Sequence, residues 1–161
     1  YSKLDLKGAP KWVKNQSDLE DTKHLSAVGS AKILNGNLNF ARNEASTEAR
    51  AELARQLQTK TSAAISNSAS KVSGEKGLEV QSNSGQVAQV FAQQVISGSR
   101  IADTFVSEAN NYWVLVKIDS QSLVKSLAAE IAKTPLSKEL AKEPHTIANE
   151  IIQEVQSNWQ K

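Results

Sequence analysis

The sequence predicts an α+β fold: a small antiparallel sheet, made of one strand plus a hairpin, packed by a long alanine-rich helix and further helices, with a C-terminal helical extension. Three observations carry this prediction. NEASTEARAELARQLQTK, Asn43 to Lys60, repeats small and apolar residues at helical spacing. HLSAVGSAKI mixes small and β-branched residues and runs into Asn35-Gly36, a strong turn signal. RIADTFVSE and YWVLVKID flank the turn Ala109-Asn110-Asn111 as the two arms of a hairpin.

In order along the chain, residues 1–22 are polar around Gly8, Pro10 and a single aromatic, Trp12, and read as an extended lead-in pinned by Trp12 and Val13. Residues 23–133 form the main α+β domain and residues 134–161 the helical extension. The first strand ends near Ile33. The long helix starts between Asn37 and Asn39 and runs to about Ala69. At 100° per residue it places Leu38, Ala45, Ala49, Leu53, Leu57 and Ala64 on one arc and Glu44, Glu48, Glu52 and Arg55 on the opposite one. Alanine on a packing face lets another backbone approach closely, so this helix is expected to lie flat on a sheet or tight on a helix.

Residues 70–86, SKVSGEKGLEVQSNSGQ, are rich in Ser, Gly, Asn and Gln and read as a long loop with a short strand at Leu78 to Val80. Val87, Val90, Phe91 and Val95 then recur at helical spacing up to Gly98. In the hairpin, strict alternation puts Ala102, Thr104 and Val106 on one face of its first strand and Ile101 and Phe105 on the other. Asp119 or Ser120 caps a helix carrying Leu123, Val124, Leu127, Ala128 and Ile131. Thr134-Pro135 opens a short helix that breaks before Pro144. The last helix repeats Ile147, Ile151, Val155 and Trp159 every four residues.

At 161 residues, 39% hydrophobic and a formal charge of +2, the chain has about one domain's worth of sequence and no basic excess that points to nucleic acid. It contains no cysteine, which excludes disulfides and thiolate metal sites, and no methionine, so a processed segment is expected to have preceded Tyr1. His24 and His145 stand apart, and no phosphate-binding loop, zinc-binding helix or nucleophile elbow occurs. No catalytic, cofactor-binding or metal-binding residue is therefore expected, and the chain is not expected to be an enzyme. Glu44, Glu48 and Glu52 at four-residue spacing fit a solvated helix face better than a metal or acid/base array. Tyr112 and Trp113 could stack a flat ligand, with core packing the better reading. Lys3, Lys7, Lys11 and Lys14 would lie close to anionic lipid if the N-terminus were anchored, and a soluble lead-in is equally open.

GAPKWV (Gly8 to Val13), AVGSA (Ala27 to Ala31), NEASTEARAELARQL (Asn43 to Leu57) and YWVLVKID, in that order, resemble the small twenty-kilodalton outer-membrane lipoprotein family of flagellated Gram-negative bacteria. That family includes surface lipoproteins and a flagellar basal-disk lipoprotein. The resemblance covers about residues 8 to 133. It implies an upstream signal peptide with a lipidated cysteine before Tyr1, and a small sheet carrying a long helix. The segment Thr134 to Lys161 extends past the shorter surface lipoproteins and tilts the expectation toward the basal-disk member.

The function expected is thus structural: a lipoprotein on the periplasmic face of the outer membrane that self-associates into a ring or disk of the flagellar motor, with other motor proteins as neighbours. The expected interface comprises Ile147, Ile151, Val155 and Trp159, buried against an adjacent subunit or the same domain, together with Glu44, Glu48 and Arg55. The alternatives are a cell-surface lipoprotein that uses the Ser70 to Gln86 loop to bind a host or surface partner, and an oligomer that binds a flat, flavin-like ligand near Tyr112 and Trp113.

Overall fold

The computed structural model describes residues 7–14 and 23–159. The expected lead-in over 1–22 falls partly outside them, at residues 1–6 and 15–22, and so does the end of the chain at 160–161. The order is α1 (Lys11–Lys14), β1 (His24–Lys32), α2 (Leu38–Ala69), α3 (Glu75–Ile96), β2 (Arg100–Val106), β3 (Asn111–Asp119), α4 (Ser120–Ile131), α5 (Leu136–Leu140) and α6 (Pro144–Ser157). The fold is α+β with a three-stranded antiparallel sheet, as the sequence predicts. Its strand order is β1-β3-β2.

Two compact units share the chain. One comprises residues 1–53, 98–118 and 160–161, the other residues 54–97 and 119–159. The described C-terminal segment, residues 134–159, belongs to the same unit as α3 and α4.

The first unit is layered. On one sheet face Val28, Trp113 and Leu115 form a buried cluster with Ala9, Trp12 and Val13, so the described part of the lead-in is pinned by Trp12 and Val13, with residues 11–14 making one helical turn. Trp12 Nε1 donates to Asp103 Oδ2 at 2.9 Å. The opposite face carries α2. A Cβ on Gly29 of β1 would stand 2.5 Å from the amide nitrogen of Ala49, and closer still to the carbonyl oxygen of Ala45. This contact explains the alanine face: only a glycine opposite alanines lets helix and strand backbones come so near. Arg50 Nε adds a bond to Ser99 Oγ at 3.0 Å, just before β2.

The buried stripe of α2 runs through Ala41, Ala45, Ala49, Leu53, Leu57, Thr61, Ile65 and Ala69, every fourth residue, with Ser46 and Ala64 buried beside it. Four residues exceed one helical turn by about 40°, so this stripe winds around the helix instead of running along it. Its first part serves the first unit and its second part the other. Leu38, expected on the buried arc, is exposed. It lies in the first turn, before the stripe begins at Ala41.

Asn35 and Gly36 both adopt positive φ, at 54° and 71°, as the Asn-Gly signal requires. Asn37 then caps α2, its Oδ1 accepting from Phe40 N at 3.1 Å. In the hairpin the turn residue Asn110 has φ 61° and its N–H donates to Ser107 O at 3.1 Å. The expected face assignment of β2 needs correction. A bulge interrupts the register between Ile101, paired with Val116, and Asp103, paired with Leu115. The extra residue shifts the alternation, so Ile101 shares a face with Thr104 and Val106, while Ala102 and Phe105 pack against the Trp12 cluster.

The larger correction concerns residues 70–86. From Glu75 they are helical and form the start of α3; only residues 70–74 connect, with Gly74 at φ 88°. No strand exists at Leu78 to Val80. Gly77, Val80, Ser84, Ala88, Phe91, Ala92 and Val95 form the buried stripe of α3. Its small members have the same purpose as the alanines of α2. A Cβ on Gly77 would collide with the Val72 carbonyl, and the Ser84 and Ser62 hydroxyls meet at 3.3 Å.

In this second unit α6 packs on α4, and α3 packs on both α4 and α5. Asp119 is the cap of α4, accepting from Gln121 N at 3.0 Å. Thr134 Oγ1 accepts from Leu136 N at 3.3 Å at the start of α5.

Candidate functional site

The residues expected to form an assembly interface divide between the two units. Ile147, Ile151 and Val155 are each 1% exposed. They lie on the face of α6 that packs against α4. Of the two expected covers, an adjacent subunit or the same domain, these three residues have the second: the chain itself buries them. Trp159 lies just past α6 and is half-buried, with the Lys60 ammonium 5.2 Å from its ring centroid. Lys60 also donates to the Asn158 carbonyl, and Asn67 Nδ2 donates to Glu154 Oε1 at 3.1 Å. The second half of α2 thereby holds the end of α6.

Glu44 and Glu48 are exposed and belong to the first unit, where they line an open hollow of about 570 Å³ together with Phe40, Ala31 and Ala51. Arg55 is exposed and belongs to the second unit. The structure therefore brings Glu44 and Glu48 together as neighbours on one helix face and gathers Ile147, Ile151 and Val155 in a core.

Trp113 is buried in the cluster with Trp12 and cannot offer a face to a flat ligand; Tyr112, its neighbour on the other sheet face, is half-buried. Among the described residues no three His, Asp or Glu side chains converge as metal ligands would. The second unit has its own hollow, about 390 Å³, lined by Val80, Val87, Val90, Asn83 and the carboxylates Glu79 and Glu130. Glu130 is 7% exposed and bonded by Lys133 Nζ at 3.2 Å, so its charge is compensated locally.

The sequence reading missed the exposed apolar side chains of the β1–α2 connection. Leu34 is 56% exposed, Leu38 49% and Phe40 52%. Their signal was present: KILNGNLNFAR, Lys32 to Arg42, alternates these residues with Asn and Gly and carries no acidic residue.

The described sheet is covered on one side by an alanine-faced helix and on the other by a tryptophan-pinned lead-in. The sequence profile of the LPP20 lipoprotein family matches residues 10–119, which span α1 through the last residue of β3. The chain belongs to the LPP20 lipoprotein family. Among curated proteins none matches. No helix among the described residues is long and apolar enough to cross a membrane.

Proposed function

We propose that this chain is a non-enzymatic structural lipoprotein, held by an upstream lipid anchor at the periplasmic face of the outer membrane, whose copies associate into a ring or disk of the flagellar motor. The observation that carries the reading is the family match across every strand of the sheet and both helices that connect β1 to β2. The assembling role rests further on the resemblance to the basal-disk lipoprotein. With the α6 stripe occupied internally, the surfaces offered to neighbouring copies among the described residues include the exposed acidic face of α2 at Glu44 and Glu48 and the outer strands β1 and β2. One patch meeting a different patch on the next copy closes into a ring.

Size-exclusion chromatography with light scattering, followed by negative-stain imaging of the largest species, tests this. Regular rings or arcs support it. A monodisperse monomer, both free and tethered to vesicles, contradicts the assembling role. The cell-surface alternative placed its contact region in a long Ser-rich loop at Ser70 to Gln86, most of which is helix, and the flat-ligand alternative placed its ligand near Tyr112 and Trp113, of which Trp113 is buried.

A further inference from the structure

Among the described residues five large hydrophobic side chains are exposed, and four of them, Leu34, Leu38, Phe40 and Val106, lie at one end of the first unit's sheet. The topology fixes this placement. β1 ends beside the start of β3, and Ile33 N–H donates to Asn110 O at 2.8 Å, joining the β1–α2 connection to the β2–β3 turn. Val106 is the last residue of β2 before that turn.

We infer that this end of the sheet is a lipid-contacting surface, seated on a bilayer with anionic headgroups. Three features select this occupant. First, the charges suit it: Lys32 and Arg42 flank the apolar residues, the stretch between them is uncharged, and Glu108 in the neighbouring turn is paired with Lys7 at 3.5 Å. Exposed apolar side chains among polar residues, with basic neighbours, match the interfacial region of an anionic membrane. Second, Glu44 and Glu48 lie one and two turns beyond Phe40 and share a hollow with it, whereas the connection itself, Leu34 to Asn37, carries no carboxylate. Third, the Lys7–Glu108 pair brings the N-terminal side of the chain to the same end of the sheet.

The inference rests on the lipid-anchored reading, and its test supplies the anchor independently. These 161 residues contain no cysteine, so a single introduced cysteine can be labelled without background. The chain is tethered through an N-terminal histidine tag to vesicles of phosphatidylethanolamine and phosphatidylglycerol containing a nickel-chelating lipid. An environment-sensitive fluorophore is placed at Asn37→Cys in the apolar end or at Lys23→Cys at the other end of β1.

The expected result is blue-shifted emission at Asn37→Cys, with quenching by spin-labelled lipid at least about twice that at Lys23→Cys, in keeping with side chains at interfacial depth. Leu34→Asp with Phe40→Asp should abolish the difference while leaving the melting temperature unchanged, since both residues are exposed. Equal quenching at both positions overturns the inference. So does a concentration-dependent dimer in lipid-free solution that the same double substitution dissolves, because the occupant would then be a second copy. Absence of lipid attachment in cells would count against the anchor, and failure on tethered vesicles against this surface alone.

Discussion

The indole Nε1 of Trp12 donates to Asp103 Oδ2 at 2.9 Å, a bond between residues 91 apart in sequence that closes α1 over the sheet. The β2 bulge makes it possible, since the extra residue at Ala102 turns Asp103 toward the face on which Trp12 packs. Trp12→Ala should cost about 3–5 kcal/mol, as expected for emptying a buried indole site. Asp103→Asn keeps an acceptor and should cost less than about 1 kcal/mol. Urea unfolding of both variants checks the difference, and equal midpoints would show that the cluster does not depend on the indole.

Gly29→Ala should destabilise the chain by about 1–3 kcal/mol or more, because the added methyl meets helix backbone and not a movable side chain. Gly36→Ala provides the contrast: it has φ 71° with open space around it, and the left-handed conformation alone should cost about 1 kcal/mol. Thermal melts of the two variants should rank them in that order.

Ile151→Glu should unfold the second unit, because a carboxylate placed at a 1% exposed site among α4 and α6 residues has no partner there. The expected cost is about 4 kcal/mol or more. Circular dichroism should show a large loss of helix. A variant that kept its full helical signal and changed only its oligomeric size would show that the α6 stripe faces other copies after all.

Ala141→Gly should stabilise the chain by about 0.5–1 kcal/mol. Ala141 follows α5 with φ 54°, a left-handed conformation that suits glycine better than alanine, and it is exposed, so no packing is lost. A rise in melting temperature without any change in oligomeric state is the expected reading.

The fold was legible where local chemistry and tertiary packing agree. Asn35-Gly36, Asn37 and Asp119 fix their turn and caps through their own side chains or φ values, and the alanines of α2 announced the close approach that Gly29 completes. The start of α3 was illegible for the opposite reason. Gly77, Ser82, Asn83, Ser84 and Gly85 have low helix propensity, and the contacts at Gly77 and Ser84 that favour the helix are made with residues of α2 and the connection after it. The small-residue pattern read as close packing in one helix was read as a loop in the other. The four-residue spacing in α6 likewise revealed that a face is buried without revealing by what. The Leu34 to Phe40 cluster escaped because exposure depends on where α2 begins to bury its stripe, and periodicity placed that one turn too early, at Leu38 instead of Ala41.

The contact at Gly29 also limits how this lineage of sequences can change. When two side chains collide, shortening one makes room for the other, and paired substitutions can wander together. Here the atoms that exclude a methyl group are the Ala45 carbonyl oxygen and the Ala49 nitrogen and Cα, which every amino acid possesses. No replacement on α2 can yield the missing space, so a larger residue at position 29 is rescued only by moving the helix as a whole. Position 29 is therefore closed to compensated drift, and a saturation library that links it with positions 45 and 49 should return glycine there in every stable clone.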